Sequence, residues 1–234
     1  MKISKDRKTA LLFGATGLVG GHLLEFLLLN EAYKKVVTFS RRPIEIEHPK
    51  LEKHLFDFDN KKNYEDLRSG DDLFCCLGTT MRKAGSREAF YKVDYTYPFQ
   101  IAESAVANGV NQFLLVTAVG ADPDSLFFYN RVKGELELAV QKLPFWSTHV
   151  FRPSLLLGTR NENRWGEEMA GKFGSLLNRV TGGLLTKYRP IEADVVAKAM
   201  VNAAQELEPG FHLYPSSLLQ ELANKDLANL MKPK

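Results

Sequence analysis

Cysteine is nearly missing from this sequence: two residues, Cys75 and Cys76, in a chain of 234. They are adjacent, and neighbouring side chains do not converge as disulfide geometry requires. Two small buried thiols inside an apolar strand are expected instead, and a reducing compartment fits them. Long hydrophobic runs are missing as well. The most apolar stretch, Leu18 to Leu29, carries His22 and Glu25 and is too short to span a bilayer. The chain opens on polar and basic residues, with no apolar segment ahead of a small-residue cleavage site, so the sequence reads as a cytoplasmic protein with no membrane partner. Charge of one sign is scarce, the net being only +3. Lys2, Lys5, Arg7 and Lys8 read as a solvated lead-in to the first strand, and basic residues do not concentrate beside aromatic platforms, which excludes nucleic acid as a partner. His22, His48, His54, His149 and His212 are scattered, and no His-x-x-x-His or Cys-x-x-Cys pairing occurs, so no metal centre is expected.

What is present is ordinary for a globular protein: 44% hydrophobic and 25% charged residues. The length suits one large α/β domain over residues 1–234, with no repeat and no linker. Strand and helix patterns alternate. Strands are predicted at Thr9–Phe13, Lys35–Phe39, Lys53–Phe58, Asp72–Leu77, Gln112–Val116, Ser147–Phe151 and Phe211–Tyr214. Helices are predicted at Leu18–Asn30, at Arg87–Asn108 with a bend near Pro98 and a stop at Gly109, and at Phe128–Lys142 with Glu135 and Glu137 facing outward. Two more follow at Asp194–Glu206, with Asp194 as N-cap, and at Ser217–Leu230. Strands that are near-continuous apolar runs, separated by helices, require a doubly wound parallel sheet covered on both faces. Residues 158–189, rich in Gly, Arg and Asn, read as an irregular elaboration on the substrate side. Arg160, Arg164, Trp165, Arg179, Lys187 and Arg189 lie there, either as attractors of an anionic substrate or as a solvated loop. A homodimer is compatible with the sequence, which carries no signal of oligomeric state.

The first chemical motif is Gly14-Ala-Thr16-Gly17-Leu18-Val19-Gly20, placed directly between the first strand and first helix. Gly14 permits the tight turn, Gly17 lets a pyrophosphate approach the backbone, and Gly20 lets the helix pack closely on the strand. The free N–H groups and positive dipole end of the helix then face the phosphates. No Gly-Lys-Ser/Thr follows, which excludes a P-loop and disfavours ATP. The end of the second strand reads Ser40-Arg41-Arg42, with two guanidiniums and no acid. An acid there would accept the ribose hydroxyls of NAD; guanidinium instead pairs with the 2′-phosphate of NADP, so NADP(H) is the expected cofactor, with Ser40 adding a hydroxyl. Arg42 reads equally well as a solvent-facing residue. Asp57 and Phe58, at the end of the third strand, sit either beside the adenine or at an ordinary strand end.

The second motif is Tyr129 and Lys133, four residues apart on one face of a predicted helix. An ammonium near a phenol favours the phenolate and lowers the tyrosine pKa, and such a tyrosine can exchange a proton with a carbonyl oxygen.

With these residues assembled, the chain resembles the short-chain dehydrogenase/reductase superfamily. It looks most like the atypical, extended-type branch that includes the Tat-interacting-protein-like NAD(P)-binding proteins. The resemblance rests on the glycine loop, Ser40-Arg-Arg42, Cys75-Cys-Leu-Gly-Thr-Thr80, Val116-Thr-Ala-Val-Gly-Ala-Asp122, Tyr129-Asn-Arg-Val-Lys-Gly-Glu135 and Val150-Phe-Arg-Pro153. It implies a Rossmann fold, Tyr129 as proton donor and Lys133 as its partner and a ligand of the nicotinamide ribose. It also implies that Leu77, Gly78, Thr79 and Thr80 line the cofactor and that Arg152 and Pro153 lie beside the nicotinamide. Members usually carry serine just after the fifth strand; here Thr117-Ala118 stands there, and Thr117 is the substitute hydroxyl. Two readings follow: an NADP(H)-dependent oxidoreductase acting on an unidentified small carbonyl or alcohol, or an NADP(H)-binding sensor without turnover.

Overall fold

The computed structural model describes residues 3, 6–65, 67, 69–158 and 189–225. Seven parallel strands form one sheet in the order β3-β2-β1-β4-β5-β6-β9. The strands are β1 (Lys8–Phe13), β2 (Tyr33–Ser40), β3 (Leu51–Leu55), β4 (Asp72–Cys75), β5 (Gln112–Val116), β6 (Ser147–Arg152) and β9 (Gly210–Pro215). A second, two-stranded parallel sheet joins β7 (Leu156–Leu157) to β8 (Ile191–Glu192).

Alternation within the strands explains the layers. In β1, Ala10 and Leu12 face one core, shared with Phe74, Leu114 and Phe151, while Leu11 and Phe13 face the other, with Val37, Leu73, Phe113 and Leu115. All are fully or almost fully buried. Burying each such side chain stabilises the fold by roughly 1.5–3 kcal/mol, which is why a strand without polar positions must be covered on both sides. The first core is closed by α1 (Leu18–Leu29), α7 (Ala193–Glu206) and α8 (Ser216–Asn224). The second is closed by α5 (Tyr97–Ala107) and α6 (Phe128–Val140). Three short helices, α2 (Lys61–Glu65), α3 (Met81–Ala84) and α4 (Arg87–Tyr91), lie between strands; α2 and α3 were not legible as periodic runs, whereas α4 is the start of the helix expected from Arg87.

Several expectations shift. The third strand begins two residues earlier and ends at Leu55, so Asp57 and Phe58 lie in the loop beyond it. The long helix from Arg87 is interrupted by a π-helical turn, Lys92–Thr96, just ahead of Pro98. Proline lacks the N–H that would continue the α-helical ladder, and the wider turn absorbs the mismatch. Asp194 is not an N-cap: Glu192 holds that position and Asp194 lies in the first turn. Glu137 points inward, not outward, and is 5% exposed. The last predicted helix runs to Asn224 with Lys225 as its C-cap; residues 226–230, and Arg160, Arg164, Trp165, Arg179 and Lys187, lie outside the described residues.

Candidate active site

Parallel strands align their C-terminal ends, so the loops after β1, β2, β4, β5 and β6 gather on one edge of the sheet. Strand order changes direction between β1 and β4, which opens a crevice there. The register closes it tightly, with the Cys76 amide donating to the Phe13 carbonyl at 2.9 Å just past the strand ends.

The glycine loop forms the floor of this crevice. Gly14 has φ +88°, and a Cβ there would stand 2.7 Å from the Cys76 carbonyl. A Cβ on Gly20 would land inside the van der Waals shell of the Gly14 carbonyl, so helix and strand meet here only through glycine. The Gly17 amide donates to the Gly14 carbonyl at 2.8 Å, closing the turn. Gly17 is also the N-cap of α1, with no side-chain cap and no acid in the first turn. A helix of this length would ordinarily have its leading N–H groups satisfied by a cap. With the Gly17 amide used in the turn, those of Leu18, Val19 and Gly20 face an end with no side-chain cap, an arrangement suited to an anion, and Thr16 beside them is exposed. The side chain of Val19 is buried, so it can serve a ligand only through its backbone. Gly158 packs beside Leu18, bringing the segment after β6 over the same helix start.

At the end of β2, Arg41 and Arg42 are both exposed, and neither forms an ion pair with a described residue. The Ser40 hydroxyl, expected to face a ligand, is buried and donates to the Arg42 carbonyl at 2.6 Å. It braces the turn that carries the two guanidiniums. Asp57 is exposed, with one oxygen accepting from the Asp59 amide at 2.9 Å. The Phe58 ring is not available to an adenine, because it packs in an aromatic cluster with Phe13, Phe56 and Tyr97. A dinucleotide fits this donor set: an uncapped helix start for the diphosphate and unpaired guanidiniums beside it for a further phosphate.

The other side of the crevice is built on α6. Tyr129, Lys133 and Glu137 are spaced by four and share its inner face. The Lys133 ammonium lies 2.7 Å from Asp94 Oδ1, with both side chains buried. The other oxygen, Oδ2, accepts from the Thr79 amide at 2.9 Å. Gly78 adjoins the pair: a Cβ there would stand 3.4 Å from Asp94 and 3.6 Å from Lys133. Gly78 and Thr80 are exposed and Leu77 and Thr79 half-buried, which leaves this loop open to the crevice. Thr80 caps α3, its hydroxyl accepting from the Lys83 amide at 3.2 Å.

Asp94 was missed by sequence reading, although a signal exists. It falls on the period Phe90, Asp94, Pro98, Ile101, Ala105, every member of which is buried. A carboxylate on the core face of a helix demands a partner. The expected electrostatics also change sign. Burial pushes the Tyr129 phenol up, Lys133 pulls it down, and Asp94 adds to the rise, so the net shift is upward. The Lys133 ammonium, which burial would strip of its proton, is held by Asp94 and Tyr129, and its net shift is upward too.

Thr117 does not join Tyr129. Its hydroxyl donates to Glu137 at 2.6 Å and lies 3.3 Å from the Phe151 carbonyl. Arg152 is also engaged by Glu137: Nε lies 3.0 Å from each carboxylate oxygen, and Nη2 bonds Oε2. Pro153 is buried, and its carbonyl accepts from Val119 at 2.8 Å. The residues expected beside the nicotinamide thus include a guanidinium whose fork is largely committed and a hydroxyl whose proton is spent.

A family model described as "NAD dependent epimerase/dehydratase family" matches residues 10–126. Protein HTATIP2 of Rattus norvegicus is 36% identical over 241 residues, spanning 99% of this chain and 94% of its own. Protein fmp52, mitochondrial, of Emericella nidulans is 34% identical, with 89% of this chain and 96% of the relative covered. Similarly named mitochondrial proteins of Scheffersomyces stipitis and Aspergillus niger are 34% and 35% identical. These names overturn the cytoplasmic placement expected above. Among solved structures, the Bordetella bronchiseptica enzyme WbmH in complex with NAD+ superposes with a TM-score of 0.68 at 16% identity, covering 97% of this chain and 84% of that one. A UDP-N-acetylglucosamine 4-epimerase from Methanobrevibacter ruminantium M1, in complex with UDP-N-acetylmuramic acid, gives 0.67 at 14%, covering 90% and 77%. At such identities the likeness establishes the doubly wound Rossmann fold.

Proposed function

Because this chain belongs to the NAD dependent epimerase/dehydratase family, we propose that it is an NADP(H)-dependent oxidoreductase that reduces a small carbonyl compound or oxidises the corresponding alcohol. The observation that carries this reading is the placement of Tyr129 and Lys133 on the inner face of α6, with Lys133 reaching the Gly78 loop on the sheet edge that also carries the uncapped start of α1.

The amides of Gly14 to Gly20 would hold the diphosphate. Arg41 would hold the 2′-phosphate, and this phosphate is what separates NADP from the NAD of the family's description. When bound, the nicotinamide supplies or accepts the reducing equivalent. The Tyr129 phenol, whose proton burial holds more firmly, gives that proton to the substrate oxygen in the reductive direction. Lys133 stands one turn along and favours the phenolate left behind, with part of its charge offset by Asp94. With the Thr117 proton given to Glu137, polarisation of the carbonyl falls to Tyr129 alone.

The test is NADPH oxidation by purified protein over a panel of aldehydes and ketones, with Tyr129→Phe alongside. Loss of at least about a hundredfold in kcat is expected for the variant, the scale of one general acid. Undiminished turnover in Tyr129→Phe would remove the phenol from the reaction. A second reading is favoured by one observation: the serine position is taken by Ala118, and the neighbouring Thr117 hydroxyl is committed elsewhere. On that reading the protein binds NADP(H) as a sensor, and tight NADPH binding without turnover on any member of the panel would select it.

A further inference from the structure

We propose that Asp94 is a positioning residue of this site: it pins the Lys133 ammonium against the Gly78–Thr79 loop and offsets part of its charge, so that Lys133 draws on the Tyr129 proton less than it would unpaired. The proposal rests on the oxidoreductase reading for its purpose, but its physical content is independent of turnover.

The geometry gives Asp94 two jobs at once. One oxygen takes Lys133 from α6 at 2.7 Å and the other takes the Thr79 amide from the loop after β4 at 2.9 Å. Three elements that carry the crevice are thereby tied to a single carboxylate. It sits on the π-helical turn Lys92–Thr96, a local widening that often marks functional positions.

Among the described residues, the charged groups that act on Tyr129 are Lys133 from its own helix and Asp94 from the π-turn, and the Phe90 ring of α4 packs 5.5 Å away. The β4 strand brings Cys75 near Lys133, but burial pushes that thiol up to about 12, leaving it neutral. The environment of the phenol is therefore set by one cation and one anion in contact. An isolated ammonium beside a phenol would lower its pKa; an ammonium paired with a carboxylate acts more as a dipole, and burial then dominates. Both directions of shift agree with this: Tyr129 and Lys133 each hold their protons more firmly than in water.

The readout is the tyrosine ring carbon resonance of the full chain labelled at tyrosine Cζ, with Tyr129 assigned by its loss in Tyr129→Phe, followed as a function of pH without substrate. In Asp94→Asn the Tyr129 midpoint should fall by at least about one pH unit, a tenfold rise in acid dissociation constant. An unmoved or raised midpoint in the folded variant overturns the proposal. Because Asp94→Asn leaves a buried ammonium unpaired, the double variant Asp94→Asn with Lys133→Met is measured as well. It removes both charges, and the proposal requires its midpoint to stay within about half a unit of the unsubstituted protein; a displacement of a full unit in either direction overturns it. Should the chain turn over no carbonyl at all, the oxidoreductase reading fails while these titrations still decide the role of Asp94.

Discussion

At the scale of single residues, what distinguishes this site is which polar groups are free and which are spent. Ser40, Thr80 and Thr117 all carry hydroxyls near the crevice, and each is used within the fold. Arg41 is the contrasting case, exposed and without an ion partner among the described residues. A charge-assisted pair between guanidinium and phosphate contributes about 1.5–3 kcal/mol, and an acid in its place would add repulsion. Arg41→Asp should therefore weaken NADPH binding at least tenfold while leaving NADH within about threefold. Calorimetry with both cofactors decides it, and an equal loss for the two would show that Arg41 does not read the 2′-phosphate. The motif residues Gly14 and Gly20 were legible because backbone conformation and close approach restrict those positions to glycine. Asp94 was marked only by its place on an otherwise apolar period, and neither its partner nor that of Glu137 was legible, because an acid on a helix looks the same in a sequence whether it meets water or a buried cation.

At the scale of elements, the outer strand pair β6–β9 carries an unusual ladder. His149 is fully buried on β6, accepts or donates to Ser147 at 2.9 Å and Tyr214 at 3.1 Å, and stacks on His212 with ring centres 4.8 Å apart. Burial drives its pKa down to about 3, with His212 and Lys8 adding to the fall. The folded protein thus holds this imidazole neutral, whereas the unfolded chain takes a proton near the ordinary value of 6.5. Above that value neither state is charged and nothing is lost. As pH falls from 6.5 towards 3, the unfolded state gains a proton that the folded state refuses, and stability drops by up to about 1.4 kcal/mol per pH unit. Urea titrations between pH 7 and pH 5 should show this slope, and His149→Gln should flatten it by about one proton. A slope unchanged in the variant would place the acid sensitivity elsewhere. The helices α5 and α6 were legible from periodicity, but the π-turn before α5 was not. The sequence shows Pro98 and so a bend; which neighbouring carbonyls find new partners depends on what the helix packs against.

For the molecule as a whole, the two edges of the sheet are treated differently. The C-terminal edge holds the crevice. The opposite edge is locked by a buried polar cluster that joins four strands and a helix. Lys8 of β1 pairs with Asp72 of β4 at 2.5 Å and donates to the Ala204 carbonyl of α7 at 3.0 Å. Asp72 also accepts from Tyr33 of β2 at 2.5 Å and Gln112 of β5 at 2.8 Å. Removing one partner of such a pair leaves a buried charge uncompensated, which costs about 3–5 kcal/mol. Asp72→Ala should lose about that much by urea denaturation, while Lys8→Met combined with Asp72→Leu should recover most of it. A single variant within about 1 kcal/mol of the unsubstituted protein would mean that the cluster contributes little.

The sequence by itself determined the alternation of apolar strands with helices, hence the parallel two-faced sheet, and the glycine loop that leaves a helix start uncapped. These follow from local rules: side-chain period, backbone conformation and the need to bury apolar surface. Tertiary structure alone decided that Lys133 meets Asp94 rather than serving Tyr129 unopposed, that Glu137 captures both Thr117 and Arg152, and that the Phe58 ring turns inward. Each of these is a pairing between elements far apart in the chain. A buried charge or ring takes its partner from whatever the fold brings within a few ångströms, and that partner's position is not written in the residues on either side.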